Sequence, residues 1–217
     1  NQNIAIGYDA MGGTATTGDN NIAIGVSAGD ALTSGADNIL LGRDAGGAIT
    51  TGGNNVIIGK LAGDGFTANT TMTLIGAEAG TAINSNNANG TVAVGYQSLV
   101  ALTSGATNTA LGTRSGDAAT TASGSVFLGN NAGGTVTTGN QNIAIGLNAI
   151  NGGTVTGDDN IAIGTNAGDA LTSGRLNIFM GKNAGGAITD ANGIIAIGYD
   201  AVTGDADSDI VAIGNHA

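Results

Sequence analysis

Hydrophobic residues come in bursts of three along this chain. The triplet Ile22-Ala23-Ile24 is preceded by Asn21 and closed by Gly25, and the same five-residue phrase stands at residues 3–7, 142–146 and 160–164. Aligned on the closing glycine, copies fall at Gly7, Gly25, Gly42, Gly59, Gly76, Gly95, Gly112, Gly129, Gly146, Gly164, Gly181, Gly198 and Gly214. The spacing is 16 to 19 residues and most often 17. A nearly fixed period over thirteen copies is the signature of a repeat architecture.

Each copy has one anatomy. The triplet reads as a short strand, as in Val56-Ile57-Ile58, and the glycine after it permits a turn that a side chain would hinder. A small residue follows at Ala28, Ala45, Ala62, Ala79, Ser98, Ser115, Ala132, Ala167 and Ala184. A second short segment comes next, such as Ala31-Leu32-Thr33 or Thr135-Val136-Thr137, and predicts a second strand. Seventeen residues are too few for the helical pair of a tetratricopeptide or ankyrin repeat. β-Branched bursts between glycine-rich turns favour strands. The pattern predicts an all-β fold: a parallel β-solenoid (β-roll) of about 13 coils, one per ~17-residue repeat, as a single domain over residues 1–217. Strands stacked about 4.8 Å apart would give a rod of roughly 60 Å. Two phrases, at Asn1 and Gly29, recur 139 residues later, so residues 1–69 and 140–208 read as duplicated blocks.

Stacking puts equivalent residues above one another and creates ladders. Asn21, Asn38 and Asn55 belong to an Asn column that can hydrogen-bond along its length. Thr33, Thr50, Thr137 and Thr172 belong to a Thr column. The plainer expectation for both columns is a set of solvated turns and edges.

Strand side chains alternate faces. With the two Ile of each triplet pointing into the coil, the middle residue would point outward. That column contains Ala5, Ala23, Leu40, Ile57, Leu74, Ala93, Ala110, Phe127, Ala144, Ala162, Phe179, Ala196 and Ala212, none of them polar. A strand that is apolar on both faces is buried on both. An apolar stripe along a rod is also a patch that monomers avoid. The expectation is that Ala5, Ala23, Leu40, Ile57, Leu74, Ala93, Phe127, Ala144, Phe179 and Ala196 form an oligomer interface, most simply in a threefold bundle.

Composition agrees with a thin, repetitive core. There are 41 Gly, no Pro, Cys or Trp, and 3% aromatic residues. The formal charge of −11 opposes contact with phosphate backbones and anionic membranes. No run of about 18 apolar residues is present to span a bilayer as a helix. Without an initiator Met or a signal peptide at Asn1, the chain is expected to be an excerpt of a longer one.

Candidate chemistry is sparse. The only histidine, His216, stands two residues from the end, where a frayed residue is the expectation. Asp205, Asp207 and Asp209 imitate the start of a Ca²⁺ loop, but Ile210 and His216 replace the Gly and Glu that such a loop needs. They are weak candidate ligands for Ca²⁺, and no other cofactor is expected. Tyr8, Tyr96 and Tyr199 share a post-glycine turn position and could stack on a sugar ring. The loop at 84–90 is the longest irregular stretch and the expected place for a local contact.

Repeats of the form Asn-x-Ala-Ile-Gly-x-x-Ala resemble the head repeats of trimeric autotransporter adhesins of the YadA type. The phrase NNIAIGVSAGDALTSG, from Asn20, resembles still more closely the repeats of bacteriophage tail fibres and related surface fibres. The resemblance covers the whole chain and implies a left-handed β-roll packed as a homotrimer. It implies an extracellular, non-enzymatic fibre segment, the shaft or head of a phage tail fibre or bacterial adhesin. Its partners would be its own copies and a cell-surface glycan or protein receptor, with no nucleic acid and no membrane insertion in this segment. The repeat here is longer than the usual YadA-type repeat, and that family's Ser-x-Ala-x-Gly alternation is mostly absent. The alternative reading is an ice-binding solenoid, which Thr14/Thr16, Thr135/Thr137 and Thr154/Thr156 would support, though most coils read Ala-x-Thr.

Overall fold

The computed structural model describes residues 2–13, 15–204 and 206–217. The chain is a parallel β-solenoid and forms two compact units, Asn1–Asn108 and Thr109–Ala217. In the first unit, strands β1 (Ile4–Ile6), β2 (Ile22–Ile24), β3 (Ile39–Leu41), β4 (Val56–Ile58), β5 (Thr73–Ile75) and β6 (Val92–Val94) stack in chain order. The second holds β7 (Thr109–Leu111), β8 (Val126–Leu128), β9 (Ile143–Ile145), β10 (Ile161–Ile163), β11 (Ile178–Met180), β12 (Ile195–Ile197) and β13 (Val211–Ile213). Pairing within each unit is parallel and in register, so Ile22, Ala23 and Ile24 lie opposite Ile39, Leu40 and Leu41. Coils are numbered by their strand.

One strand per coil is regular. The second segment expected as a strand is a chain of turns, and among the described residues its one β-bridge joins Val136 and Val155. Its backbone still bonds from coil to coil, but the donors converge. The Thr50 carbonyl accepts from the N–H groups of Thr33, Ser34 and Gly35 at 2.9, 3.1 and 3.2 Å. A carbonyl shared among three donors closes a corner and cannot propagate a ladder.

The glycine after each triplet sets how closely coils approach. At Gly25 φ is 139°, a value L-residues rarely adopt, and a Cβ there would stand 2.5 Å from the Gly42 carbonyl oxygen. Backbone therefore packs on backbone at this corner.

The facing of the triplet is the reverse of the expectation. Ala23, Leu40, Ile57, Leu74, Ala93, Phe127, Ala144, Phe179 and Ala196 are fully buried within the chain itself, and of the ten only Ala5, in the first coil, is exposed. The residues on either side, such as Ile161 and Ile163, are half-buried on the outer surface. The reason is strand parity. Asn21 lies two residues before Ala23 and so shares its face. The Asn column is inside, and the middle residue follows it.

Core volume is then shared between two positions six residues apart. Where the middle residue is large, the later position is glycine: Leu40 with Gly46, Phe127 with Gly133, Phe179 with Gly185. A Cβ on Gly133 would collide with the Phe127 ring. Where the middle residue is Ala93 or Ala144, the later position carries Leu99 or Ile150, both fully buried and both at positive φ, 50° and 47°. Packing outweighs the strain of that conformation in a large side chain.

Among the described residues, Asn69, Thr91 and Thr135 carry buried side-chain polar atoms with no hydrogen-bond partner. Both amide atoms of the fully buried Asn69 lack a hydrogen-bond partner, in a column that elsewhere holds Gly35, Gly52 and Ala122.

The volume exchange can be tested by transplanting coil 6 into coil 8. Phe127→Ala alone should lose about 3–5 kcal/mol through the cavity it leaves. Gly133→Leu alone should be destabilising through overpacking. The double variant, which reproduces Ala93 and Leu99, should be markedly more stable than the sum of the two losses allows, as read from urea unfolding. Simple additivity would contradict the shared-volume account.

Candidate functional site

Three sets of residues are candidates for function: the ladders, the charged turns, and a polar cavity in the second unit. The Asn ladder is interior and not a solvated edge. Asn21, Asn38 and Asn55 are fully buried. Asn38 donates from its backbone N–H and its Nδ2 to Asn21 Oδ1 at 3.1 and 3.0 Å, and Nδ2 donates again to the Gly52 carbonyl at 2.9 Å. Asn55 repeats this on Asn38 and Asn69. In the second unit Asn160 and Asn177 make the same bonds above Asn142. Every donor and acceptor of such an amide is used, which is what burial requires.

The Thr ladder binds backbone. The hydroxyls of Thr33, Thr50, Thr137 and Thr172 donate to the carbonyls of Thr50, Thr67, Val155 and Thr189, all between 3.0 and 3.2 Å. These hydroxyls close the turns and do not form a free outward array. Of the Thr pairs noted for ice, Thr14 lies outside the described residues, and the Thr135 hydroxyl is buried.

The acidic turn at 205–209 assembles no cage from its described part. Asp205 lies outside the described residues, while Asp207 and Asp209 are exposed. Among the described residues no group of three or more His, Cys, Asp or Glu side chains is placed to hold a metal ion. Tyr8 and Tyr96 are exposed in coils 1 and 6 of the first unit, five coils apart in one column. Tyr199 instead meets His216 edge to face at 5.2 Å and lies under Lys182 Nζ at 5.7 Å. The 84–90 loop is exposed at its Asn residues but anchored, with Ala88 buried and Asn89 Oδ1 accepting from Thr70 N–H at 2.9 Å.

Carboxylates flank glycines at one corner of the coil. A Cβ on Gly47 would stand 2.7 Å from Asp64 Oδ1 and 3.3 Å from Asp30 Oδ1. Partial burial, then the charges of Asp44 and Asp30, push the Asp64 carboxyl above its ordinary range. Desolvation also raises Asp169 in the second unit.

The equivalent corner of coils 7 to 9 opens into a cavity of about 260 Å³ lined by Arg114, Asp117, Asn131, Gly134, Thr135 and Asn151. Arg114 Nε donates to Asp117 Oδ2 at 2.8 Å. The Asn131 and Asn151 amides each donate to Asn148 Oδ1 at 3.4 Å. Thr135 Oγ1 is buried with no partner. Sequence reasoning missed this cavity, although Arg114 is unlike the other residues of its column apart from His216, and Thr135 unlike those of its own apart from Thr154.

Comparison with known protein families, with curated proteins and with solved structures finds no match for the chain.

Two measurements follow from this geometry. Asn38→Ala would strand the Asn55 N–H and Nδ2 donors and the Gly52 carbonyl inside the coil. At about 1–3 kcal/mol for each buried group left unpaired, the loss should exceed about 3 kcal/mol in urea unfolding. Thr50→Val, at the surface, should lose under about 1.5 kcal/mol. The acid corner sets a pH dependence. Because the Asp64 pKa is raised in the folded chain, the folded chain holds that proton at a higher pH than the unfolded one. Its penalty is present in full above the raised value and is relieved as pH falls toward the unfolded value. Asp64→Asn should therefore raise the Tm at pH 7 and have a smaller effect near pH 4; an unchanged or lower Tm at pH 7 would contradict this.

Proposed function

We propose that the chain is a structural and adhesive fibre segment, the shaft or head of a phage tail fibre or bacterial surface adhesin. In this reading it works outside the cell as a left-handed β-roll packed as a homotrimer, and it has no reaction to perform. The observation that carries the reading is the outer face of the triplet strands. Its two columns are Ile, Val, Leu or Met at every coil, apart from Thr73 and Thr109. Ile24, Ile39, Leu111 and Met180 remain exposed on it. A continuous aliphatic stripe of this kind is the surface that monomers avoid and that obligate assemblies bury. The number three comes from the resemblance to trimeric fibre heads.

The interface thus shifts from the middle residues to their neighbours. That shift strengthens the oligomer reading, because Ile replaces Ala as the commonest outward residue. The ice-binding alternative is weaker, since the Thr hydroxyls are committed to backbone carbonyls.

The native mass in solution tests the reading. Three chains per particle is the expected result, resistant to dilution and protease. Ile145→Asp with Ile163→Asp, both on the outer face, should split the trimer while leaving the far-ultraviolet circular dichroism intact. A wild-type monomer at micromolar concentration would contradict the fibre assembly.

A further inference from the structure

We propose that the second unit carries a saccharide site: the cavity formed by Arg114, Asp117, Asn131, Gly134, Thr135 and Asn151, which takes a pair of neighbouring hydroxyls on one sugar ring. In an in-register solenoid the residues of a column do one structural job, so a departure from the column marks something else. The position before the buried residue of the second segment is Ala31, Ala48, Gly65, Ala82, Ala101 and Ala118 in coils 2 to 7, Thr154 in coil 9, and Ala170 and Ala187 in coils 10 and 11. In coil 8 it is Thr135. The position two after the glycine holds the chain's only cation of that column apart from His216, and it is Arg114. Both departures fall on one cavity.

The chemistry of the walls is that of a polyol site. The Thr135 hydroxyl is buried, faces no protein partner, and belongs to a residue that lines the cavity. The stack does not need it, because Ala or Gly serves at this position in coils 2 to 7, 10 and 11. The point where a Cβ of Gly134 would lie is 2.6 Å from Asn151 Oδ1 and 3.2 Å from Asp117 Oδ1. Two acceptors converge there within reach of a hydroxyl donor. Asp117 is held by its bond from Arg114 Nε, which leaves the terminal amino groups of the guanidinium as donors. A sugar hydroxyl both donates and accepts, and so matches acceptors, a donor and a Thr hydroxyl in one cavity. A cation would face the Arg114 guanidinium, and an anion would face the Asp117 carboxylate. The comparable corner of the first unit has Asp30 and Asp64 about Gly47, with Ser27 and Ala48 in place of Arg114 and Thr135, and supplies no such mixture. A volume of about 260 Å³ holds one ring and not an extended oligosaccharide.

The site deepens the adhesive side of the fibre reading and rests on that reading for its biological sense. The full chain is titrated with methyl glycosides of glucose, galactose, mannose and N-acetylglucosamine, with backbone amide shifts read by NMR and particle mass read in parallel. At least one glycoside should give saturable shifts at Gly134, Thr135 and Asn151, with a Kd on the order of millimolar as expected for so few contact atoms. Thr135→Ala, which restores the column residue and so keeps the fold, should weaken that binding on the order of tenfold, and Asp117→Asn should weaken it as well. Asp64→Asn, in the other unit, should leave it unchanged. No saturable shift with any of the four glycosides, shifts produced by Ca²⁺ in place of sugar, or full binding by Thr135→Ala would overturn the site. Loss of sugar binding with the trimer mass retained would count against the site alone, and a monomer that still binds sugar would count against the fibre assembly alone.

Discussion

Everything in this fold depends on one constraint: each residue stacks on its own equivalent in the next coil. In-register parallel pairing makes every position of the repeat a column, and a column is stable only if its residue type is compatible with itself. The Asn ladder is the clearest case. An amide carries a donor group and an acceptor, so a stack of amides satisfies itself, with backbone N–H groups and turn carbonyls using the remaining capacity. Burial removes water as a competitor and makes each missing bond costly. Met72 and Ile194 show how the ladder ends: the Asn below each accepts from its backbone N–H at 2.9 Å, so an apolar residue can cap the column without leaving an orphan.

The apolar columns obey a different rule, since dispersion has no direction and only volume counts. Large middle residues are spread over neighbouring layers. Leu40 approaches Gly29 of the coil before it and Gly46 of its own. Phe179 does the same with Gly168 and Gly185. Glycine is therefore needed in the core at these points as absent volume, which explains how a chain with 41 Gly can still be well packed. At Ala93 and Ala144 the backbone accepts Leu99 and Ile150 at positive φ to refill the layer.

The period, the strand triplets and the stacking were legible in the sequence because they depend on spacing alone. Facing was not, because an Ile-Ala-Ile triplet is apolar in both parities and alternation cannot choose between them. The choice was written elsewhere, in the pairing of Phe127 with Gly133 and Ala93 with Leu99. Such compensation is visible only once those two positions are known to share an interior. The second segment misled for a related reason. Ala-Leu-Thr has strand-like composition, but convergence of three N–H groups on one carbonyl is a property of the corner and leaves no periodic trace. The cavity around Thr135 was hidden for want of a column frame: one Thr among many is unremarkable until its stack-mates, Thr154 apart, are seen to be Ala and Gly.

Reversal of the triplet also changes what an exposed surface means in this chain. With Ala outward, the stripe would have been thin and close to ordinary surface. With Ile and Val outward in two adjacent columns, each coil adds branched side chains to one face of its unit, and strand spacing fixes their repeat at about 4.8 Å. A second copy of the same face has the same repeat, so its side chains can sit in register between these along each unit. A partner of unrelated structure has no reason to match that period. The stacking rule that builds the coil interior therefore favours self-association outside it, and it leaves the corners, where Asp, Asn and Arg vary from coil to coil, as the surface on which anything other than a copy would be recognised.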